Sequence, residues 1–344
     1  MKALTLIITM ILAQQVFANN SCFDTQAVKD LIEASEELNE CFAKDVNNCK
    51  FDKMTVEQQR EVNSQRLIPF DRTKSKLMNN ATGLVSADFG GDTFSGSGQK
   101  ISSCHIITSA HLLYSSTEVS VDSEDKPALR NSDEFDVNFH SGQTCDSRMF
   151  QSKVGAQVFF KMTQEGKDFT CGRYNNAGKC IERNFFGKSD LVILKLKNYN
   201  KSDKNFFKLK TTPLAISNTG DRVNCWGYPG YNSQIKLSKE TSDKLLWLQK
   251  DAKIFNGNSN KGVLTNAIAY PGMSGGGCSM TSDPKELVGL FAERNSASGS
   301  AAVEVSPRTA EQNGANYLSS FQNLAERYKQ STGKDIADLD KECE

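Results

Sequence analysis

The sequence has few histidines, no excess of either charge and, beyond its first 18 residues, no apolar stretch long enough to cross a membrane. Lysine plus arginine and aspartate plus glutamate number 41 each. A protein that binds nucleic acid usually carries a clustered basic excess, and this chain has no polybasic run and no repeat at a fixed period. We therefore expect no nucleic-acid partner and no membrane insertion of the mature chain.

The cysteines and histidines argue against zinc. The chain has ten cysteines but no Cys-x-x-Cys pair, and its three histidines are His105, His111 and His140. Structural zinc sites normally combine such closely spaced cysteine and histidine ligands, so we expect no metal and no cofactor. An even number of cysteines in an exported chain instead indicates disulfides.

The first 18 residues have the pattern of a secretory signal. Lys2 supplies a positive end, residues 3–13 are mainly apolar, and residues 16–18 place Val and Ala at the two positions that a signal peptidase reads. The apolar run is far shorter than the ~20 residues of a membrane-spanning helix. We expect cleavage near Ala18 and a protein that is secreted or periplasmic.

Beyond the leader, the periodicity changes along the chain. Residues 19–66 have a helical period and predict either a permanent helical arm or a removable pro-segment. Short β-type runs separated by Gly, Asn, Ser and Asp follow, and they predict a first β-module over residues 67–198, a linker over 199–210 and a second β-module over 211–310. Residues 311–344 return to helix, with apolar positions three and four apart at Tyr317, Leu318, Phe321, Leu324, Ala325 and Tyr328.

Three segments carry side chains suited to nucleophilic catalysis. An apolar run at residues 106–108 leads to His111, Asp190 precedes the apolar run 191–196, and Ser274 lies in the glycine-dense turn 272–277. Each alone is usually a turn or packing residue. Together they occur in the order His, Asp, Ser, with gaps of 79 (190 − 111) and 84 (274 − 190) residues, each at the edge of a β-run. This order is that of the chymotrypsin group of hydrolases.

The chemistry explains why these residue types would occur together. A hydroxyl is a weak nucleophile and needs a base on one side and an oxyanion-binding site on the other. His111 would accept the proton of Ser274, and Asp190 would hold the imidazole tautomer and stabilise the imidazolium. Gly272 and Gly275 allow the tight backbone that points N–H groups at a developing oxyanion.

The chain resembles the trypsin-like serine endopeptidases over roughly residues 67–325. The motifs that carry this resemblance are Thr108-Ser109-Ala110-His111, Asp190-Leu191-Val192-Ile193-Leu194 and Gly272-Met273-Ser274-Gly275-Gly276. Residues 68–72 (Ile-Pro-Phe-Asp-Arg) and 95–98 (Ser-Gly-Ser-Gly) are similar to the bacterial glutamyl-endopeptidase branch. The resemblance implies an all-β core of two antiparallel six-stranded β-barrels, flanked by the helical N-terminal arm and the C-terminal helix. It also implies an oxyanion hole formed by the N–H groups of Gly272 and Ser274.

The resemblance further implies how the substrate pocket is built. Trypsin-like relatives have an aspartate six residues before the nucleophile, where this chain has Ile268, and glutamyl-specific relatives have a histidine where this chain has Phe291. Ile268, Ala269 and Phe291 would form a smallish apolar pocket of broad preference. Arg294, turned into the cleft, would instead favour acidic substrates.

The same resemblance suggests how the cysteines pair. Within the two-barrel fold the expected disulfides are Cys104–Cys145, Cys171–Cys180 and Cys225–Cys278. The other four cysteines, Cys22, Cys41, Cys49 and Cys343, are left open, with one bond expected between the N-terminal arm and the C-terminal tail. Met273 replaces the aspartate that trypsin-type zymogens pair with a freed N-terminus, so activation by that ion pair is not expected.

The sequence thus predicts a secreted serine endopeptidase that acts on protein or peptide substrates through His111, Asp190 and Ser274 and an acyl-enzyme. The alternative is a protease-like fold without catalytic activity that serves as a binding module. The two differ in whether Ser274 reacts with a fluorophosphonate.

Overall fold

The structure is a computed structural model. It describes residues 33, 35–37, 67–70, 75–88, 93–113, 136–143, 150–161, 169–174, 180–185, 190–212, 214, 221–229, 245–259, 262–265, 267, 272–293, 316–319 and 321–343. The strands of this part are β1 (Ile68–Pro69), β2 (Thr82–Asp88), β3 (Thr93–Lys100), β4 (His105–Thr108), β5 (Asp136–Gln143), β6 (Phe150–Lys161), β7 (Phe169–Tyr174), β8 (Cys180–Phe185), β9 (Val192–Leu196), β10 (Lys208–Leu209), β11 (Arg222–Gly227), β12 (Trp247–Ser259), β13 (Gly262–Thr265), β14 (Gly277–Met280), β15 (Asp283–Glu293) and β16 (Asn316–Ser319). Its helices are α1 (Lys76–Ala81), α2 (Gln322–Thr332), the short 3-10 helices Ala110–Leu113 and Ile336–Glu342, and an N-terminal helix of which residues 33 and 35–37 are described.

The first barrel is a closed ring of six antiparallel strands in the order β2-β3-β4-β9-β6-β5. Strand β2 completes the ring because it pairs with both β3 and β5. Successive residues of a strand face opposite sides, and the inward side chains form one apolar core that includes Val85, Ile106, Phe139, Val192 and Leu194. Strands β7 and β8 form a separate two-stranded sheet.

The second barrel is also a ring of six antiparallel strands. Its order is β12-β11-β14-β15-β16-β13, and the pairing of β12 with β13 closes it. Its core includes Val223, Trp247, Val263 and Val288. The predicted all-β core of two six-stranded antiparallel barrels is confirmed.

Three short strands fall outside the boundaries that the sequence suggested. Strand β1, assigned from the sequence to the first module, pairs with β12 of the second barrel. Strand β10, in the predicted linker, pairs with β15, and β16, in the predicted helical tail, pairs with β13 and β15. Tyr317 and Leu318 therefore belong to a strand and not to the C-terminal helix. Their apolar spacing suits either element, and pairing with the second barrel decides it.

The C-terminal helix is present and seals the region where the two barrels meet. Leu324 and Tyr328 of α2 are buried, and they belong to an apolar cluster that also contains Ile193 of the first barrel and Leu248 of the second. The helix thus stabilises both barrels together, since this cluster loses apolar contact on either side if α2 is removed.

Part of the predicted N-terminal arm is described and is helical. Glu33 and residues 35–37 lie in a helix, Ser35 is buried, and the Glu36 carboxylate lies 2.5 Å from Lys250 Nζ on β12. Leu67 has no exposed surface and packs in the second-barrel core. A new N-terminus produced by cleavage after Arg66 would therefore begin at a buried residue.

The cysteine pairs differ from the expected set. The structure joins Cys225 to Cys278, the pair implied for the second barrel, whose residues lie opposite each other on β11 and β14. It joins Cys104 to Cys343, so the predicted Cys104–Cys145 pair is wrong, as is the expectation that Cys343 bonds to the arm. The reason is that the 3-10 helix Ile336–Glu342 returns to the first barrel, where the Ser103 N–H donates to Asp340 Oδ1 at 2.9 Å.

The predicted Cys171–Cys180 pair involves side chains outside the described part. The backbone register of β7 and β8 pairs Cys171 with Arg183 and Cys180 with Tyr174, so the two cysteines do not lie directly opposite each other. Cys22, Cys41, Cys49 and Cys145, like the predicted signal peptide of residues 1–18, also lie outside the described residues. Among the described residues, none forms a helix with the length and apolar character needed to cross a membrane.

Candidate active site

His111 and Asp190 lie close together because each is next to the end of one of two paired strands. Strand β4 runs into the 3-10 helix that carries His111, and Asp190 lies just before β9. Strands β4 and β9 are antiparallel neighbours with Thr108 opposite Val192, so the end of one lies beside the start of the other. The Ala110 N–H donates to the Asp190 carbonyl at 3.3 Å and fixes this junction.

The Asp190 carboxylate is buried and accepts two hydrogen bonds from His111. Only 1% of Asp190 is exposed. Its Oδ1 accepts the His111 backbone N–H at 2.8 Å, and its Oδ2 lies 2.6 Å from His111 Nδ1. Because an ionised carboxylate can only accept, Nδ1 carries the proton and Nε2 of the neutral ring is left as an acceptor.

Ser274 completes a continuous hydrogen-bonded set. Its Oγ lies 2.8 Å from His111 Nε2, so the hydroxyl donates to the imidazole. The three side chains predicted from the sequence are therefore in direct contact, in the order Asp190, His111, Ser274. A base that is oriented by a carboxylate and bonded to a hydroxyl is an arrangement that activates a nucleophile.

Two glycines give the serine turn its shape. Gly272 and Gly275 have φ values of 90° and 79°, in the left-handed region, which side chains rarely adopt. A Cβ at Gly275 would also lie 2.1 Å from the Ser97 carbonyl oxygen and 2.4 Å from Thr108 Oγ1 of the first barrel. Glycine is thus required at 275 for both conformation and close approach.

The N–H groups predicted to form the oxyanion hole lie in this same turn. No described residue accepts a hydrogen bond from the N–H of Gly272 or of Ser274. The next two N–H groups are used internally, since Gly275 N–H donates to the Phe291 carbonyl at 2.8 Å and Gly276 N–H donates to the Met273 carbonyl at 2.7 Å. Among the described residues, the N–H groups of Gly272 and Ser274 therefore have no acceptor and remain available for a ligand oxygen.

The expected pocket residues are only partly described. Ile268, Ala269 and Arg294 lie outside the described residues. Phe291 is 3% exposed, belongs to the second-barrel core, and lies so close to Gly276 that a Cβ there would be 2.9 Å from its ring. Met273 is fully buried in the same core.

Several polar residues support the serine turn through contacts that the sequence did not reveal. The Ser97 N–H donates to the Ser274 carbonyl at 2.7 Å, Gln99 Nε2 donates to the Gly275 carbonyl at 3.2 Å, and Ser109 Oγ donates to the Phe291 carbonyl at 2.8 Å. Ser97 belongs to the Ser-Gly-Ser-Gly stretch noted for its resemblance, but that stretch alone gave no sign that it contacts the nucleophile turn.

The three histidines have different environments. Burial lowers the pKa of His111, but the charge of Asp190 and the hydrogen bond to it outweigh burial and raise that pKa above its ordinary value of 6.5. Burial is the main cause that lowers the pKa of His105 to about 4. Burial, followed by the charge of Lys153, lowers the pKa of His140, whose Nε2 lies 3.0 Å from Ser86 Oγ. His111 is therefore the histidine that gains affinity for a proton.

Cys104, His105 and Cys343 also lie together, within reach of a common metal ion. The two sulfurs are bonded to each other in a disulfide, so neither is available as the thiolate that a metal would need. His105 therefore packs beside a covalent link.

Comparison with known proteins identifies the family. The model of the trypsin-like peptidase domain matches residues 91–290, which is more than half of the chain. The protein belongs to the trypsin-like peptidase family. The matched range contains His111, Asp190 and Ser274 and most strands of both barrels, whereas β1 and α2 lie outside it.

Several proteases are among the solved structures similar to this trypsin-like peptidase. They include a Glu endopeptidase in complex with MPD, at 15% identity and a TM-score of 0.45, covering 77% of this chain and 97% of the other. The protease Anisep from Arthrobacter nicotinovorans has 11% identity and a TM-score of 0.41, covering 74% and 96%. The thermostable serine protease AL20 from an extremophilic microorganism has 11% identity and a TM-score of 0.42, covering 75% and 100%. No curated protein sequence matches the chain.

Proposed function

We propose that this protein is a secreted serine endopeptidase in which Ser274 is the nucleophile, His111 the general base and acid, and Asp190 the residue that orients His111. The observation that carries the proposal is the unbroken set of hydrogen bonds from Asp190 Oδ2 through His111 to Ser274 Oγ, at 2.6 and 2.8 Å. Family membership is consistent with it.

The geometry supports a two-step acyl transfer. Ser274 Oγ attacks the carbonyl carbon of the scissile peptide bond while its proton passes to His111 Nε2. The carbonyl oxygen becomes an oxyanion that the N–H groups of Gly272 and Ser274 stabilise. His111 then gives the proton to the leaving amine, and the C–N bond breaks to leave an ester on Ser274. A water molecule, deprotonated by His111, hydrolyses this ester and restores the free hydroxyl.

The raised pKa of His111 fits this role. A general base works best when its pKa lies near the operating pH, and the imidazolium formed after proton transfer lies against the buried Asp190 carboxylate. Asp190 thus stabilises the charge that develops on His111 during the reaction, and its backbone bond to the His111 N–H keeps the ring in place.

We further propose export by the leader of residues 1–18 and a broad preference for apolar side chains before the cleaved bond. Phe291 supports the preference because its buried ring presents no hydrogen-bond donor for a substrate carboxylate. Arg294 is the residue that would reverse it. A cleavage-site profile on denatured proteins tests this: apolar residues should dominate before the cut, whereas dominant cleavage after Glu or Asp that disappears in Arg294→Gln would show that Arg294 sets the specificity.

The central experiment is labelling with a fluorophosphonate, which reacts only with an activated serine. Wild-type protein should be labelled at Ser274, Ser274→Ala should not, and Ser279→Ala should be labelled like wild type. Ser279 is the matched control because it is a buried serine five residues further on, in β14. Wild-type protein that takes no label, either as the full chain or after any processing of residues 19–66, would support a binding module without catalytic activity.

A further inference from the structure

The buried side chain of Gln99 connects the two barrels at the serine turn. Gln99 lies in β3 of the first barrel and has no exposed surface. Its Oε1 accepts the Trp226 indole N–H at 2.9 Å and the Thr82 hydroxyl at 2.9 Å. Because the indole can only donate, the amide orientation is fixed by chemistry. Its Nε2 is therefore the atom that donates to the Gly275 carbonyl, at 3.2 Å.

The hydrogen bond from Gln99 is the first in a series of hydrogen bonds that connects successive amide groups in one direction. The peptide group between Gly275 and Gly276 accepts from Gln99 at its carbonyl, and its own N–H donates to the Met273 carbonyl at 2.7 Å. The peptide group between Met273 and Ser274 accepts that bond and ends in the N–H of Ser274. Each amide therefore receives a hydrogen bond on oxygen and passes one on from nitrogen, and the final donor is the N–H proposed to bind the oxyanion.

We propose that Gln99 is a positioning residue. It orients and polarises the oxyanion-binding N–H of Ser274 through two peptide groups, the one between Gly275 and Gly276 and the one between Met273 and Ser274. This inference rests on the proposed serine peptidase function. Hydrogen bonds that form a chain in a buried environment strengthen one another, by about 10–30% per bond. A donor held in place before the reaction also needs no reorganisation as charge develops. Gln99 would thus act on the transition state and not on substrate binding.

The first barrel fixes the other side of the nucleophile independently. The Ser97 N–H donates to the Ser274 carbonyl at 2.7 Å, and Ser97 Oγ accepts the Tyr228 N–H at 2.8 Å. Loss of the Gln99 amide would therefore leave the Ser274 backbone anchored while releasing the Gly275 carbonyl. A Gln99 variant should therefore change the orientation of the peptide groups in the turn without moving the turn as a whole.

Two variants of Gln99 test the proposal. Gln99→Met has nearly the same length and lacks both the carbonyl oxygen and the NH₂ group of the amide. Gln99→Glu still accepts from Trp226 and Thr82, and it tests the proposal where Gln99→Met fails to fold. Its protonated carboxyl would donate to Gly275 in place of the amide, whereas its ionised form cannot donate, so this variant is measured on the high-pH side of its pH–rate profile, where the carboxyl is ionised. Gln249→Met is the matched control, because Gln249 is a fully buried glutamine in β12 of the second barrel, two strands away from β14.

The measurements are KM and kcat on the full chain with a peptide amide substrate, with kcat expressed per fluorophosphonate-reactive site. We expect kcat to fall about 10- to 100-fold with KM changed less than about threefold, a smaller loss than the ~10²–10³ seen when an oxyanion donor itself is removed. Gln249→Met should keep the wild-type kcat per reactive site. A purely structural role for Gln99 would reduce the number of reactive sites and leave kcat per site unchanged.

A second readout reports on the oxyanion directly. A peptidyl trifluoromethyl ketone forms a tetrahedral adduct with an active serine, and ¹⁹F NMR gives the pKa of the adduct hydroxyl. Weaker N–H donors should raise that pKa in both Gln99 variants. An unchanged adduct pKa together with an unchanged kcat per site would overturn the role of Gln99 while leaving the proposed function intact. Wild-type protein that forms neither the adduct nor the fluorophosphonate label would overturn both.

Discussion

Acidification should destabilise this protein well above the pH at which carboxylates titrate, and His105 is the reason. His105 has no exposed surface, its ring lies 4.4 Å from that of Phe159, and its Nδ1 lies 2.8 Å from Ser102 Oγ. Burial and then the charge of Lys195 lower its pKa to about 4, although Glu342 and Asp340 act in the opposite direction. The folded protein thus holds His105 neutral where an unfolded chain would protonate it.

The size of the effect follows from the two pKa values. An unfolded histidine titrates near pH 6.5, so between pH 6.5 and about 4 the unfolded state binds the extra proton and the free energy of unfolding falls as the pH falls. The difference of about 2.5 pH units corresponds to about 3 kcal/mol, of which about 2 kcal/mol is lost by pH 5. His111 acts with the opposite sign, because its raised pKa stabilises the fold below pH 6.5 and that contribution is lost as the pH rises through the folded pKa.

The assay is urea unfolding at pH 7 and pH 5, followed by the fluorescence of the two tryptophans, Trp226 and Trp247, which are both buried. His105→Phe is the test variant, because a phenyl ring keeps the contact with Phe159 and Ser102 Oγ still accepts the N–H groups of Cys104 and His105. Wild type should lose about 2 kcal/mol more than the variant between these pH values. Equal losses in the two proteins would refute the reasoning, as would an NMR titration in which His105 protonates near pH 6.5.

Two further perturbations test the site and the covalent link. Asp190→Asn leaves burial as the main influence on His111, so the pKa of His111 should fall below its ordinary value and kcat should drop about 10⁴-fold, as in the well-studied serine protease triad; a pH–rate profile with most activity retained would show that another acid orients His111. Replacing Cys104 and Cys343 by alanine opens a link that spans 239 residues, for which chain entropy alone predicts a loss of about 5 kcal/mol in unfolding free energy. The Cys225–Cys278 bond shortens this loop to 186 residues (239 − 53), which lowers the predicted loss by only about 0.2 kcal/mol. We therefore expect about 5 kcal/mol by chemical denaturation, and a loss below about 1 kcal/mol would contradict the chain-entropy argument.

The sequence revealed the features whose signal is local. Strand-like runs, glycine-rich turns and the motifs around His111, Asp190 and Ser274 each fit within a few residues, and the resemblance then placed the three side chains in one cleft. The contacts of Ser97 and Gln99 could not be seen this way. Their partners in the serine turn lie about 175 residues further along the chain, and a serine or glutamine in a strand has the same appearance whether it faces solvent or a neighbouring barrel.

The same limit explains the errors. The pairing of Cys104 was inferred by treating the protease-like region as closed on itself, whereas the C-terminal segment folds back onto β4 and bonds to it. The two-residue strand β1 carries too little pattern to show which barrel it joins, and its register with Trp247 and Leu248 is fixed by tertiary packing.

Each end of the chain attaches to the barrel formed by the other half of the chain. Ile68 of β1 pairs with Leu248 of the second barrel, 180 residues further along the chain (248 − 68), and Cys343, which follows the second barrel in the chain, bonds to Cys104 of the first. Each half produced alone would lack a segment that the other half supplies. Pairings this distant also cost loop entropy before any contact rewards them, so folding should be slow. The two barrels then form one folded unit, but the chain remains incompletely folded for a long time before it is reached.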